Sequence, residues 1–144
     1  MTIDIHGMNL SGPCRIIYMT AECLGLEYNM IECDLFKGEN KTEEYLKLNI
    51  QHSIPTLVDG KTILNESRVA AAYLVNKYGK DDKLYPKDPE TRAMVDQMLY
   101  FDMGVLYKAY GEVMVNIDFY KFDSIFYVTL IPVSPNPRER KTRG

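Results

Sequence analysis

The stretch SIPTLVDGKTILNES, residues 53–67, decides the fold that we predict for this chain. It holds two short apolar runs, TLVD and TIL, on either side of Asp59-Gly60, a dipeptide that favours a tight turn between paired strands. The residues from Glu66 to Tyr78 are apolar around most of the helical circumference, which is typical of a helix buried on several sides. The stretch therefore predicts a β-hairpin followed by a buried helix.

The residues before the hairpin alternate between strand and helix patterns. Apolar and polar residues alternate in TIDIH (2–6) and in YNMIECDL (28–35), which predicts two strands. Apolar residues recur at helical spacing from Cys14 to Leu24, and Gly25 is suited to end that helix. Thr42 is a candidate N-cap for a second, short helix. The order β-α-β-α-β-β-α that results is the order of a thioredoxin-like α/β domain.

The chain changes character after this domain. Residues 81–90, DDKLYPKDPE, are rich in proline and charge, which is typical of a domain boundary. A long helix is predicted from about Pro89, but one helix cannot bury its own apolar stripe. We therefore predict four regions: a thioredoxin-like domain at 1–81, a linker at 82–88, an incomplete all-helical domain at 89–117 and an atypical tail at 118–144.

Composition excludes several classes of function. The 144 residues carry a net charge of -3, which gives no footprint for nucleic acid. Three cysteines and two histidines fit neither a disulfide framework nor a metal site. The longest apolar run, 125–133, is too short to cross a bilayer, and the first residues lack the pattern of a signal peptide. We expect a cytoplasmic protein without metal, nucleic acid or membrane partners.

The segment Ser11-Gly12-Pro13-Cys14 has the outline of a Cys-x-x-Cys redox motif with serine in first place. At a helix N-terminus, which favours negative charge, the Ser11 hydroxyl could stabilise a thiolate that arrives with a ligand. The alternative is that Ser11 is only an N-cap, worth about 1 kcal/mol. Cys14 is predicted to be a small buried side chain rather than a redox group, and the same holds for Cys23 and Cys33.

Two further segments are candidates for ligand contacts. A cis Ile54-Pro55 bond would turn the backbone of Ile54 towards an extended peptide, whereas a trans bond would simply begin an edge strand. His52 is either an exposed loop residue or a donor to a ligand carboxylate. Residues 66–68, ESR, offer helix N–H groups to a carboxylate and Glu66 to an ammonium, or Glu66 merely complements the helix dipole.

These segments together resemble the insect delta- and epsilon-class glutathione transferases, the delta class most. The likeness covers about residues 3–112 and rests on four stretches: SGPCR (11–15), QHSIPTLVDG (51–60), NESRVAAAYLVNKYGKDDKLYPKDP (65–89) and MLYFDMGVLYKAY (98–110). The resemblance implies a homodimeric detoxification enzyme of the EC 2.5.1.18 type. Its thioredoxin-like domain would bind glutathione as co-substrate, and its helical domain would bind hydrophobic electrophiles.

The resemblance also implies a role for each matched residue. Ser11 would stabilise the glutathione thiolate as the catalytic residue. The glutathione-binding residues would be His52, Ser53, Ile54, Pro55, Glu66, Ser67 and Arg68, with His52 at the glycine carboxylate and residues 66–68 at the γ-glutamyl end. Tyr107 and Tyr110 would line the electrophile pocket.

Two departures from the family pattern bear on activity. Asn40 stands where many delta-class members carry a second histidine for the glycine carboxylate, so weaker glutathione binding is expected. After about Val113 the likeness ends, which implies a truncated or aberrant C-terminus, reduced stability, self-association and weak conjugation. A glutathione-binding protein with little or no catalysis therefore stands as the alternative function. A disulfide reductase is a third, which the serine at position 11 argues against.

Overall fold

The computed structural model describes residues 2–116 of the chain, with side-chain surroundings up to residue 113. Contacts divide the chain into two compact units, Met1–Leu99 and Tyr100–Gly144. This division falls inside a helix and differs from the predicted boundary after residue 81, so the predicted regions 1–81, 82–88 and 89–117 stay predictions. The predicted tail, 118–144, lies outside the described residues.

The first unit has the predicted order of strands and helices, and the thioredoxin-like arrangement is confirmed. The chain also has two short elements, a 3-10 turn at Glu39–Lys41 in the first unit and a π-helical turn at Asp102–Leu106 in the second unit. The strands are β1 (Ile3–Gly7), β2 (Tyr28–Glu32), β3 (Thr56–Asp59) and β4 (Thr62–Leu64). The helices are α1 (Gly12–Leu24), α2 (Glu43–Leu48), α3 (Ser67–Tyr78), α4 (Pro89–Phe101) and α5 (Tyr107–Asn116).

The four strands form one mixed sheet in the order β2-β1-β3-β4. β1 pairs with β2 in parallel and with β3 in antiparallel register, where His6 faces Thr56. β3 and β4 form the predicted antiparallel hairpin, with Leu57 opposite Leu64. Gly60 takes a left-handed φ of 61° in its turn, a conformation that glycine adopts without steric penalty. The hairpin expected from Asp59-Gly60 is therefore confirmed.

Helix ends follow the capping residues read from the sequence. Thr42 caps α2, since its side chain accepts a hydrogen bond from the backbone N–H of Tyr45. Gly25 closes α1 with a φ of 66°, and its N–H donates to the carbonyls of Ala21 and Glu22. The strand predicted at 28–35 is shorter than expected and mostly exposed, because β2 lies at the sheet edge.

The core lies between the sheet and the packed helices α1 and α3. Its buried side chains are Ile3, Ile5, Cys14, Ile17, Tyr18, Ala21, Leu57, Ala70 and Leu74. A Cβ atom at Gly7 would lie 2.6 Å from the Cys14 sulfur, so the strand and the thiol touch with no space between them. Cys14 and Cys33 are buried as predicted, whereas Cys23 is exposed, which corrects that prediction.

A buried carboxylate joins the end of β3 to the second half of α3. Oδ2 of Asp59 accepts hydrogen bonds from the Tyr73 hydroxyl at 2.8 Å, the Lys77 ammonium at 2.6 Å and the Tyr78 hydroxyl at 2.8 Å. Burial opposes ionisation, but the hydrogen bonds from Lys77, Tyr78 and Tyr73 outweigh it and hold the pKa of Asp59 below its usual value. We call these four residues the carboxylate cluster.

The chain is helical from Pro89 to Asn116, as the long helix predicted from about Pro89 requires. A π-helical turn at Asp102–Leu106 lies between α4 and α5 without a break in the helix. No residue of α4 is buried, and Leu106 and Val113 are exposed. None of the described helices is long and apolar enough to cross a membrane. Within residues 2–116 no group of three or more His, Cys, Asp or Glu side chains could hold a metal ion.

Candidate functional site

The sheet register brings three separate segments of the first unit to one end of the sheet. β1 runs towards that end, and Ser11 follows it after a short turn. Because His6 pairs with Thr56, the start of β3 lies beside the end of β1. Because β4 runs back along β3, its last residue, Leu64, and the start of α3 at Ser67 lie at the same end. The predicted catalytic and glutathione-binding residues of the first unit all belong to these segments.

Ser11 is the N-cap of α1. Its backbone is extended, with φ -79° and ψ 119°, and its Oγ accepts a hydrogen bond from the backbone N–H of Cys14 at 3.4 Å. Capping uses a lone pair of this oxygen, so the hydroxyl proton can turn either to the neighbouring Cys14 thiol, whose pKa Ser11 lowers, or to a ligand. The first turn of α1 holds no acidic residue, so the positive end of the helix dipole is not neutralised there. Ser11 thus caps the helix and still offers a proton to an anion.

Cys14 does not supply a reactive thiol. Its side chain is fully buried. Burial raises the pKa of the Cys14 thiol, although the hydrogen bonds from Ser11 and Met8 partly oppose this rise. The thiol is therefore protonated near neutral pH, and a ligand must bring the thiolate that Ser11 could stabilise.

The loop before β3 contains backbone groups that form no hydrogen bond with the described residues. The Ile54-Pro55 peptide bond is cis. Among the described residues, no group donates to or accepts from the backbone of Ile54. The preceding carbonyl of Ser53 is held by the Tyr45 hydroxyl at 2.7 Å and by the Asn49 amide at 2.9 Å. The backbone of Ile54 is thus available to pair with an extended peptide.

A neutral hydrogen-bonded cluster supports this loop from inside. Tyr45, Asn49 and Thr56 are all buried. The Tyr45 hydroxyl lies 3.0 Å from Oγ1 of Thr56, which also accepts from the Asn49 amide at 3.2 Å. Oδ1 of Asn49 accepts from the backbone N–H of Gln51 at 2.9 Å. We call Tyr45, Asn49 and Thr56 the loop cluster; sequence analysis did not identify it.

His52 projects from the same loop in an unusual backbone conformation. It is exposed, with a positive φ of 46°, which is uncommon for a residue other than glycine. Its N–H donates to the Asn49 carbonyl at 3.0 Å, and its carbonyl accepts from the Asn40 amide at 2.6 Å. Asn40 is 7% exposed, so it holds the loop from beneath and is not a surface residue. Sequence analysis placed Asn40 only as a lost ligand and missed this contact.

The start of α3 combines an acid with buried polar groups. Glu66 is exposed and occupies the N-cap position, but its side chain makes no capping hydrogen bond. Ser67 is buried, and its Oγ accepts from the Arg68 guanidinium at 2.9 Å. The first turn of the 12-residue helix holds no acid, so its N–H groups and dipole are suited to a carboxylate.

The two tyrosines assigned to an electrophile pocket lie in the second unit. The rings of Tyr107 and Tyr110 stack with centroids 6.1 Å apart and planes inclined by 28°. Both side chains are exposed. Their pairing presents an aromatic surface on α5, and their role in an electrophile pocket stays a prediction.

Comparison with known proteins finds similar chains among the glutathione transferases. A family model described as the N-terminal domain of glutathione S-transferases matches residues 11–77. Glutathione S-transferase D6 of Drosophila melanogaster is 48% identical over 105 residues, which span 73% of this chain and 49% of that protein. The chain thus spans about half the length of this curated relative.

Solved structures share both sequence and fold with the chain. A delta-class glutathione transferase of Nilaparvata lugens is 49% identical, with a TM-score of 0.74 over 76% of this chain and 52% of that one. A glutathione transferase homologue from Drosophila mojavensis, solved with bound glutathione, is 35% identical, with a TM-score of 0.76 over 88% of this chain and 62% of that one. These matches confirm the resemblance to delta-class insect transferases. Over residues 11–77, within its thioredoxin-like domain, the chain is thus similar to the N-terminal domain of the glutathione S-transferases.

Proposed function

We propose that the chain binds glutathione at the sheet end where α1, β3 and α3 begin, and conjugates its thiolate to hydrophobic electrophiles. The observation that carries this proposal is the juxtaposition of the Ser11 hydroxyl and the unpaired backbone of Ile54 at one end of the sheet. A hydroxyl donor and an extended-peptide edge suit a small peptide that carries a thiol. Relatives named glutathione S-transferases support the same assignment.

Each part of glutathione has a partner in this proposal. The backbone of Ile54, beside Pro55, pairs with the cysteinyl residue. His52 and Ser53 lie at the glycine end, where the imidazole donates to the terminal carboxylate. At the γ-glutamyl end, Ser67 and the first N–H groups of α3 bind the carboxylate, Arg68 adds positive charge, and Glu66 meets the ammonium.

Ser11 performs the chemical task of this site. Its hydroxyl donates to the sulfur and, with the dipole of α1, favours the thiolate over the thiol. A hydrogen bond to a charged group contributes about 1.5–3 kcal/mol, which corresponds to a decrease of about one to two units in the pKa of the bound thiol. The thiolate lone pair then forms the carbon–sulfur bond, and the leaving group departs with its electron pair.

The same proposal covers partners and location. Glutathione is the co-substrate, and small hydrophobic electrophiles lie against an aromatic wall that includes Tyr107 and Tyr110. The protein acts as a homodimer in the cytoplasm, as is usual in this family.

Binding and chemistry are tested by two measurements on the full chain. Calorimetry should show glutathione binding, weakened by Ser67→Ala and by Glu66→Ala. Thiolate absorbance of bound glutathione should titrate about one to two pH units higher in Ser11→Ala than in the unaltered protein. Cys23→Ser, on the same helix, is the control and should change neither result.

The two results are separable. If the Ser11→Ala titration midpoint is unchanged, Ser11 has no part in the mechanism even if glutathione binds. If glutathione binds but no electrophile such as an aromatic halide is conjugated, the chain is a binding protein rather than an enzyme.

A further inference from the structure

Asn40 makes a buried contact with the main chain of the proposed glutathione site. Its amide nitrogen donates to the carbonyl of His52 at 2.6 Å, across 12 residues of sequence. The side chain lies under the loop rather than on its surface, with 7% of the residue exposed. A short hydrogen bond that joins the Glu39–Lys41 turn to the ligand loop fixes one against the other.

The conformation of His52 needs such support. Its φ of 46° lies in the left-handed region, which is disfavoured for residues with a Cβ atom. Its exposed side chain has little packing to hold it there. The residue is held instead by its backbone, through N–H to Asn49 at 3.0 Å and through its carbonyl to Asn40. Among the described residues, no other side chain bonds that carbonyl.

We propose that Asn40 is a positioning residue, which acts through the backbone of His52 to aim the imidazole at the glycine carboxylate of glutathione. This inference rests on the proposed function of the site. Asn40 is therefore more than a weaker ligand at a position where many delta-class members carry a histidine. Its amide serves the loop, and its effect on the ligand is indirect.

The orientation of the amide agrees with this role. A carbonyl only accepts hydrogen bonds, so the Asn40 nitrogen must face His52. Oδ1 of Asn40 is then buried with no partner among the described residues. The Asn40→Leu substitution keeps the side chain close to its size but removes the donor without adding a charge, so it separates the hydrogen bond from the side-chain volume.

The test compares glutathione with γ-glutamylcysteine, which has the same thiol and γ-glutamyl end but lacks the glycine residue. We expect calorimetry on the full chain to show that Asn40→Ala and Asn40→Leu weaken glutathione binding about five- to tenfold. Binding of γ-glutamylcysteine should change less than about twofold, since it lacks the carboxylate that His52 meets. Asn29→Ala, which removes an exposed amide bonded to Asp4 at the sheet edge, is the control and should change neither affinity.

A double substitution tests the route of the effect. In a His52→Ala background, Asn40→Ala should have no further effect on glutathione affinity, because the imidazole that it positions is absent. Equal weakening of both ligands by Asn40→Ala, or no weakening of either, would overturn the inference and leave the proposed function standing. If the unaltered protein binds neither ligand, the proposed function itself fails, and the inference falls with it.

Discussion

Strand β3 carries a polar cluster at each end, and the two clusters are built from different chemistry. At its start, Thr56 belongs to the loop cluster, whose members are neutral and support the loop before the strand. At its end, Asp59 belongs to the carboxylate cluster, whose central group is ionised and bonded to α3. The start of the strand thus serves the candidate ligand loop, whereas its end holds a helix to the sheet. Substitutions at the two ends should therefore differ in what they change.

The largest effect is expected at the charged end. Asp59→Asn leaves the Lys77 ammonium and two tyrosine hydroxyls facing a neutral amide, so we expect a loss of about 3 kcal/mol in the free energy of unfolding. Urea denaturation measures this loss. Glutathione affinity of the folded protein should stay the same, since Asp59 lies at the opposite end of β3 from the ligand loop.

A matched control is Asp81→Asn, which removes an exposed carboxylate paired with exposed Lys83. Surface ion pairs contribute little, so this variant should unfold near the midpoint of the unaltered protein. Equal losses in the two variants, or weaker glutathione binding in Asp59→Asn, would contradict the proposed division between the ends.

Acid should weaken the hydrogen bonds of Asp59 at the end of β3 but not those of the loop cluster at its start. The loss in the free energy of unfolding should be smaller than the loss caused by Asp59→Asn. The pKa of Asp59 is below the value of about 3.9 that an aspartate has in an unfolded chain. The ionised carboxylate therefore stabilises the fold fully above that pH, and its contribution is lost as the pH falls through the folded pKa. Urea midpoints at neutral pH and near pH 3 should show a smaller gap between the unaltered protein and Asp59→Asn in acid. A gap that is constant with pH would mean that the charge of Asp59 does not stabilise the fold.

The smallest effect is expected at the neutral end. Thr56→Val preserves shape but removes the hydroxyl that Tyr45 and Asn49 contact, while both residues still bond the Ser53 carbonyl. We expect a loss of about 1 kcal/mol in the free energy of unfolding and about two- to fivefold weaker glutathione binding. Thr20→Val, which removes a hydroxyl bonded within α1, serves as the control for binding. Unchanged affinity in Thr56→Val would separate the loop cluster from the ligand site.

Local signals in the sequence predicted most of the elements. The Asp59-Gly60 turn, the Thr42 cap and the Gly25 helix end depend on residues within a few positions, where side-chain chemistry and φ preference decide the outcome. For Ser11 the sequence left two roles open, that of a helix N-cap and that of a hydrogen-bond donor to the thiolate of a ligand. The structure shows that capping uses only its acceptor oxygen and leaves its proton available.

Contacts between distant residues were not predicted. Asn40 and His52 are separated by 12 positions, and Asp59 and Tyr78 by 19, and neither pair forms a motif. Both depend on how helices and loops return to the sheet, which periodicity does not determine. The exposure of Cys23 was missed for a similar reason, because helical spacing alone does not show which side of α1 faces α3.

Burial, which at Cys14 includes the tight contact of its sulfur with Gly7, divides the cysteines into two kinds of chemical probe. Cys23 is exposed and should react with a maleimide in the folded protein, whereas Cys14 and Cys33 are buried in the packed interior. A molecule labelled once, at Cys23, is folded, and a molecule labelled at all three cysteines is unfolded. The mass of the labelled chain therefore counts folded and unfolded molecules directly, without any engineered reporter.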